Sequence, residues 1–282
     1  MELFRRSFRR QVDTGYEARL RIANRNGKTR ITRHDSPNVA IEVNADLYAA
    51  SDQEAEEQLR RLQEAIVVDG NNIEIQTPEL RRPEFGIFFF GRGPKVEYDI
   101  RVPADTQLNA TSHNGAVEVS GTRRPAHIEN RNGRVTIADV AAEVSVENRN
   151  GRITVERCAG PVRASNTNGA ITVAGATGAV EVKTRNGSLE VTEPGAGVQA
   201  ESTNGPIRFS GRVNGDVSMQ ATNGGIRMAV TADSRFEIDA ESRHGGVHSE
   251  LPVRDRPPGG EGAAVHKVHL RTTNGGIRLT EL

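Results

Sequence analysis

The chain has 282 residues, 37 basic and 37 acidic side chains, a pI near 7.1 and no Trp. Zero formal charge excludes a general nucleic-acid binder, which needs a basic field, and no run approaches the ~18 apolar residues of a membrane-spanning helix. The single cysteine, Cys158, cannot form an intrachain disulfide and reads as a buried structural thiol.

In chain order, MELFRRSFRR carries Arg5, Arg6, Arg9 and Arg10 without the apolar stretch of a signal peptide, and is expected to be an edge strand or a frayed arm. On this reading the protein is cytoplasmic. Residues 20–31, LRIANRNGKTRI, are two short alternating strands around Asn26-Gly27, and Val39, Ile41 and Val43 alternate as another strand. The one convincing helix lies near 51–66. Ser51 and Glu54 form a capping-box pattern, Ala55, Leu59, Leu62 and Ile66 make an apolar stripe, and Glu56/Arg60 and Glu57/Arg61 stand four apart. A strand pair around Asp69-Gly70 follows. Residues 78–94, PELRRPEFGIFFFGRGP, are an aromatic insertion, and KVEYDIRVP leads into the regular array.

That array is the dominant signal. Asn-Gly pairs begin at Asn114, Asn132, Asn150, Asn168, Asn186 and Asn204, each 18 residues after the last, followed by Gly115, Gly133, Gly151, Gly169, Gly187 and Gly205. Around each pair sit two period-two strands, as in VSVENRNGRITV, which place Val146 and Val155 on an apolar side. Asn-Gly between alternating hydrophobics is also a hairpin signal. The solenoid is favoured because Asn130, Asn148 and Asn166 hold one slot beside the unbroken Asn column. Stacked identical amides can hydrogen-bond along a pile of rungs. Beyond Asn204 the unit returns at Asn223, His244 and Asn274, spaced 19, 21 and 30.

The expected fold is therefore all-β with a small α+β cap: a parallel β-solenoid, or β-helix, of 18-residue rungs. Residues 1–107 form the cap, with its insertion at 78–94, and run continuously into the repeat region 108–282. The repeated VxVxNxNGxIxV units, the early copy, the SDQEAEEQLRRLQ helix and the YDIRVP lead-in resemble the bacterial β-strand-repeat domains catalogued as "putative adhesins" of unknown function. The resemblance implies a solenoid fold and a cell-surface or envelope location, and supplies no catalytic motif.

No residues are assigned to catalysis, cofactor or metal. Glu129, Glu147 and Glu201 share one outward slot and Glu118 and Glu190 another, but they interleave with Arg131, Arg149 and Arg185, so an ion-paired, solvated face is expected. His244, His248, His266 and His269 gather late in the chain, with His266 and His269 on opposite strand faces, and read as surface histidines. The expected function is a non-catalytic binding or structural module of adhesin type. The alternatives are an intracellular self-assembling scaffold and, third, a carbohydrate-active enzyme on one solenoid face. Partners would be a protein, a glycan or an envelope component, with self-association through the solenoid ends and no nucleic acid. The rings of 85–90 are expected to fold back over the solenoid's open end beside the Leu59/Leu62 helix. The alternative is a projecting loop in which residues 81–95 meet an anionic membrane surface or a partner through Phe85, Ile87, Phe88, Phe89, Phe90 and Arg92.

Overall fold

The computed structural model describes residues 1–81, 93–251 and 265–282. The fold is a β-solenoid, whose described residues fall into two compact units, Met1–Ile137 and Ala138–Leu282.

The second unit shows the repeat most plainly. Its strands are β12 (Val144–Asn150), β13 (Ile153–Glu156), β14 (Val162–Asn168), β15 (Ile171–Ala174), β16 (Val180–Asn186) and β17 (Leu189–Thr192). There follow β18 (Val198–Asn204), β19 (Ile207–Gly211), β20 (Val217–Asn223), β21 (Ile226–Val230), β22 (Phe236–His244), β23 (Val247–Ser249), β24 (His266–Asn274) and β25 (Ile277–Glu281). Each rung is a longer strand, a turn that is Asn-Gly except at His244-Gly245 in β22–β23, and a shorter strand. Pairing is parallel and in register, Val144 against Val162 and Ile153 against Ile171, so the rungs stack and the hairpin alternative is excluded. Val146, Val155, Val162, Val173 and Leu189 are buried, since period-two alternation sends one side of each strand into the space between the two sheets.

The Asn-Gly turn is fixed by close approach of backbones. Gly169 has φ +142°, and a Cβ there would lie 2.1 Å from the Gly151 carbonyl oxygen one rung away. Any side chain would force the rungs apart. The outer amide column bonds along the stack as expected: Asn168, Asn186 and Asn204 each donate Nδ2 to the Oδ1 of the preceding Asn at 2.8 Å. The inner column behaves differently. Asn166 Nδ2 donates to the Gly151 carbonyl at 2.6 Å rather than to its own column, and Thr184 and Ser202 donate to Gly169 and Gly187 in the same way. Any short donor reaches that carbonyl, which explains why the inner column drifts from Asn to Thr and Ser.

At the opposite corner Asp139, Arg157 and Glu193 adopt positive φ (57°, 52° and 49°), in the slot that Gly175 and Gly211 occupy elsewhere. Arg157 grips Asp139 through two bonds of 2.8 and 3.1 Å. The pair holds the Asp139 carboxyl below its ordinary range, the bond to Arg157 outweighing burial. Cys158, next to this corner, is buried, and burial pushes its thiol up.

The order of rungs departs from the order of the chain. The long strands run β22-β24-β20-β18-β16-β14-β12 and the short ones β13-β15-β17-β19-β21-β25-β23. The rung β24–β25 lies between β20–β21 and β22–β23, although β22–β23 precedes it in sequence.

The first unit contains β1 (Glu2–Asp13), β2 (Glu17–Asn26), β3 (Thr29–Arg33), β4 (Asn38–Ala49), α1 (Asp52–Glu64), β5 (Ile66–Asp69) and β6 (Asn72–Gln76). It continues with β7 (Lys95–Val102), β8 (Asp105–Asn114), β9 (Val117–Ser120), β10 (Ala126–Asn132) and β11 (Val135–Ala138). The early copy is a true rung: β2 and β3 pair in parallel with β8 and β9, Leu20 against Leu108 and Ile31 against Val119. The basic N-terminus is an edge strand, β1, running antiparallel to β4. Ser51 Oγ caps α1 by accepting from Glu54 N at 3.3 Å, while Glu54 accepts from Ala50 N at 2.7 Å, one residue outside the usual reciprocal partner. Ala55, Leu59 and Leu62 are buried against the strands. Glu56 accepts from Arg6 Nε on β1 at 2.7 Å, so this helix acid ties the helix to the edge strand.

Candidate binding surfaces

A shallow groove of about 470 Å³ crosses the outer face of the long-strand sheet in the second unit, at the starts of β14, β16, β18 and β20. Its floor is low because Pro161, Ala179 and Gly197 occupy successive positions where a long side chain would stand. Its walls are Arg163, Glu181, Gln199, Ser218 and His269, the outward residues one strand position further on. These charges are already paired. Arg163 meets Glu143 and reaches Glu181 at 3.6 Å, and Lys183 bridges Glu181 and Glu201 at 3.0 and 3.6 Å. The hydrogen bond to Glu181, with the charges of Glu201 and Glu181, holds the Lys183 ammonium above its usual range. Period two puts all these side chains outside, and the parallel register makes opposite charges neighbours along the stack.

Of the acids singled out in sequence, Glu201 lies 3.6 Å from Lys183, Glu118 pairs with Lys28 at 2.8 Å and Arg30 at 3.2 Å, and Glu129 lies 3.1 Å from His127. The late histidines are spread rather than gathered. His266 stands opposite Phe236, His269 opposite Asp239, His244 opposite Asn274 and His248 opposite Arg278. Among the described residues no group of His, Cys, Asp and Glu could hold a metal ion. The Asn-Gly residues from Asn114 to Gly205 occupy the stacked turns, where the Asn side chains bond along the stack and the glycines lie against the backbone of the neighbouring rung. The expected contact residues Phe85, Ile87, Phe88, Phe89, Phe90 and Arg92 lie outside the described residues. The positions flanking them are held to the first unit, Arg81 by Glu54 and Pro94 by a 2.7 Å bond from Asn26 Nδ2 to its carbonyl.

A buried polar relay in the first unit was not foreseen. Tyr98 OH lies 2.9 Å from Thr77 Oγ1, which donates to Asn24 Oδ1 at 3.3 Å, and Asn24 Nδ2 donates to the Val96 carbonyl at 3.0 Å. Burial pushes the Tyr98 phenol up to about 12, with the Thr77 bond pulling weakly the other way. Sequence carries a faint signal of it, since Tyr98 stands on the inward parity of KVEYDIRVP.

The arrangement is that of a β-solenoid repeat protein with charge-paired outer faces. Residues 18–280 match the model of the Toastrack DUF4097 family, and the chain belongs to that family. No curated protein matches it. Two solved structures are similar over nearly their full length. One, titled a "putative cell adhesion protein" from Clostridium sporogenes ATCC 15579, has 12% identity and a TM-score of 0.31, over 99% of this chain and 100% of that one. The other, a "putative adhesin" from Bacteroides fragilis NCTC 9343, has 10% identity and a TM-score of 0.39, over 98% and 97%. Among the described residues no helix is long and apolar enough to cross a membrane.

Proposed function

We propose that this chain is a non-catalytic binding module, whose ligand is an extended polar polymer, such as an envelope glycan, lying along the groove of the long-strand sheet. The observation that supports this reading is the groove's repetition. Three successive rungs present a short floor residue, with Asp216 in that column on the fourth, and all four present an outward polar side chain at strand spacing of about 4.8 Å. A polymer with its own repeat can meet such a surface in several equivalent places, which favours summed weak contacts over one deep pocket. No Phe, Tyr or Trp lines the groove among the described residues, so recognition would rest on hydrogen bonds and charge rather than stacking on such rings. The segment 81–95 is a second proposed contact, on composition alone, toward an anionic membrane surface.

The test is co-sedimentation of the full chain with isolated bacterial envelopes and purified polysaccharides, beside the Ala179→Arg variant. Ala179 is exposed on the groove floor, so the longer side chain should obstruct the groove while leaving the melting temperature unchanged. Binding that the variant loses supports the reading. Equal binding by both forms removes the groove, and turnover of the polysaccharide removes the non-catalytic assignment.

A further inference from the structure

The rung β22–β23 ends both sheets of the second unit, and its inward side chains are not covered as others are. Ile238 pairs in register with Val268, yet Ile238 is 43% exposed and Val268 0%. Val247 pairs with Ile277, and the exposures are 48% and 1%. The inward column that is sealed one rung earlier is open here. β22 bonds β24 along one edge, and among the described residues no strand pairs with its other edge. Nine residues, Phe236–His244, thus present alternate backbone N–H and C=O groups outward. Of the usual guards of such an edge, β22 carries charges on its outward side and β23 is short, but β22 has no Pro and no Asp, Glu, Lys or Arg pointing inward. β22 has an apolar inward row instead, in Phe236, Ile238 and Ala240.

The outward row of the same strand is acidic: Glu237, Asp239 and Glu241. Its inner neighbour β24 answers each with a base, setting Lys267, His269 and Arg271 opposite them. Arg271 donates to Glu241 at 2.7 Å and to Asp239 at 3.0 Å, and His269 lies 3.4 Å from Asp239. A strand added to the outer edge would face the same acids from the other side.

We propose that the β22–β23 rung is a strand-addition site for an extended segment of a partner protein in which apolar residues alternate with Lys or Arg. Main-chain bonds to β22 would supply affinity, Ile238 and Val247 would take the apolar side chains, and the acidic row would select the basic ones. A second copy of this chain fits less well. Antiparallel pairing of two β22 strands about Ala240 sets Glu237 against Arg243, but also Asp239 against Glu241. The site meets the groove only at His269, and its test does not depend on the groove reading.

The probe is a labelled synthetic peptide of residues 265–282, the segment whose bases already match this acidic row, titrated against the full chain by fluorescence anisotropy. Its control carries Glu in place of Lys267, His269 and Arg271. Saturable binding is expected, weakened at least tenfold by the control peptide and by Ile238→Lys with Val247→Lys, a double variant whose melting temperature should match the parent. Slower hydrogen exchange in β22 on adding the peptide would locate the contact. Three outcomes overturn the proposal: no saturable binding, equal binding to the double variant, or concentration-dependent self-association of the chain that the same two substitutions abolish. The last would make a second copy the occupant.

Discussion

The sheet edges of the two units handle their apolar interior in opposite ways. In the first unit, β1 points Arg6 and Arg10 along the side that elsewhere carries Val and Ile. Arg6 is bound by Asp52 and Glu56 of α1, and Arg10 donates to the Ile66 carbonyl at 2.6 Å. Helix α1 then buries Ala55, Leu59 and Leu62 against the strands. In the second unit the outermost rung keeps the plain repeat pattern, and its inward Ile238 and Val247 meet no further rung among the described residues. A repeat unit cannot bury its own apolar side, so each end must be covered by different material or remain a contact surface. The covered edge is built from non-repeat sequence, whereas the open edge is one more copy of the repeat.

The sharpest way to break this contrast is a pair of substitutions in one column. Val268→Asp puts an uncompensated charge in a sealed position and should cost several kcal/mol, roughly 3–5. Ile238→Asp, its in-register neighbour, should cost less than about 1 kcal/mol, because water already reaches it. Thermal melting of the two variants decides the matter, and equal shifts would mean that the outer rung is covered.

A second pair compares turns. A Cβ at Gly169 meets the Gly151 carbonyl at 2.1 Å, and the same slot in the outermost rung, Gly245, still meets the Gly275 carbonyl at 2.3 Å, whereas Gly246, one position further on, meets nothing within 4 Å. Gly169→Ala should therefore lower stability by roughly 2–3 kcal/mol through rung separation and backbone strain. Gly246→Ala should be neutral within about 0.5 kcal/mol. Denaturant midpoints would separate them.

The last expected effect, no larger than that at Gly169, sharpens the description of the first unit and depends on pH. Tyr98 stays neutral in the fold up to about pH 12, while in the unfolded chain it ionises near 10. Folding therefore raises its pKa, and the stability it supports is intact below pH 10 and lost as the pH rises through 12. The loss is on the order of 2–3 kcal/mol for a shift of this size. Tyr98→Phe should flatten that alkaline slope, at the expense of the bond to Thr77; an unchanged slope between the two forms would remove Tyr98 as its source.

Much of the fold was legible in the residues because a solenoid rung is a local object. Alternation at Val144, Val146, Ile153 and Val155 specifies two strands and their inward side, and Asn150-Gly151 specifies the turn between them. The 18-residue period repeats that specification until stacking becomes the economical way to bury every copy. Helix α1 was equally plain from Ser51, Glu54 and the Leu59/Leu62 stripe. The candidate surfaces were much less legible. The groove arises where Pro161, Ala179 and Gly197 fall in one column, and short side chains carry no motif by themselves. The positive-φ corner was hinted at by Gly121, Gly175 and Gly211 but hidden by Asp139, Arg157 and Glu193 in the same slot.

What the sequence determined by itself was the rung: strand parity, turn and register, each set by residues within one 18-residue repeat. What only the tertiary structure decided was which rung lies next to which. The spacings of 21 and 30 after Asn223 are compatible with simple serial stacking, yet β24–β25 lies between β20–β21 and β22–β23. The physical reason is that the rungs present similar edges and apolar columns, so their local pattern does not encode position in the stack. Position follows from burial and charge across rungs, where Val268 and Leu270 are sealed and Arg271 meets Asp239 and Glu241, and those contacts exist only once the chain has folded back on itself.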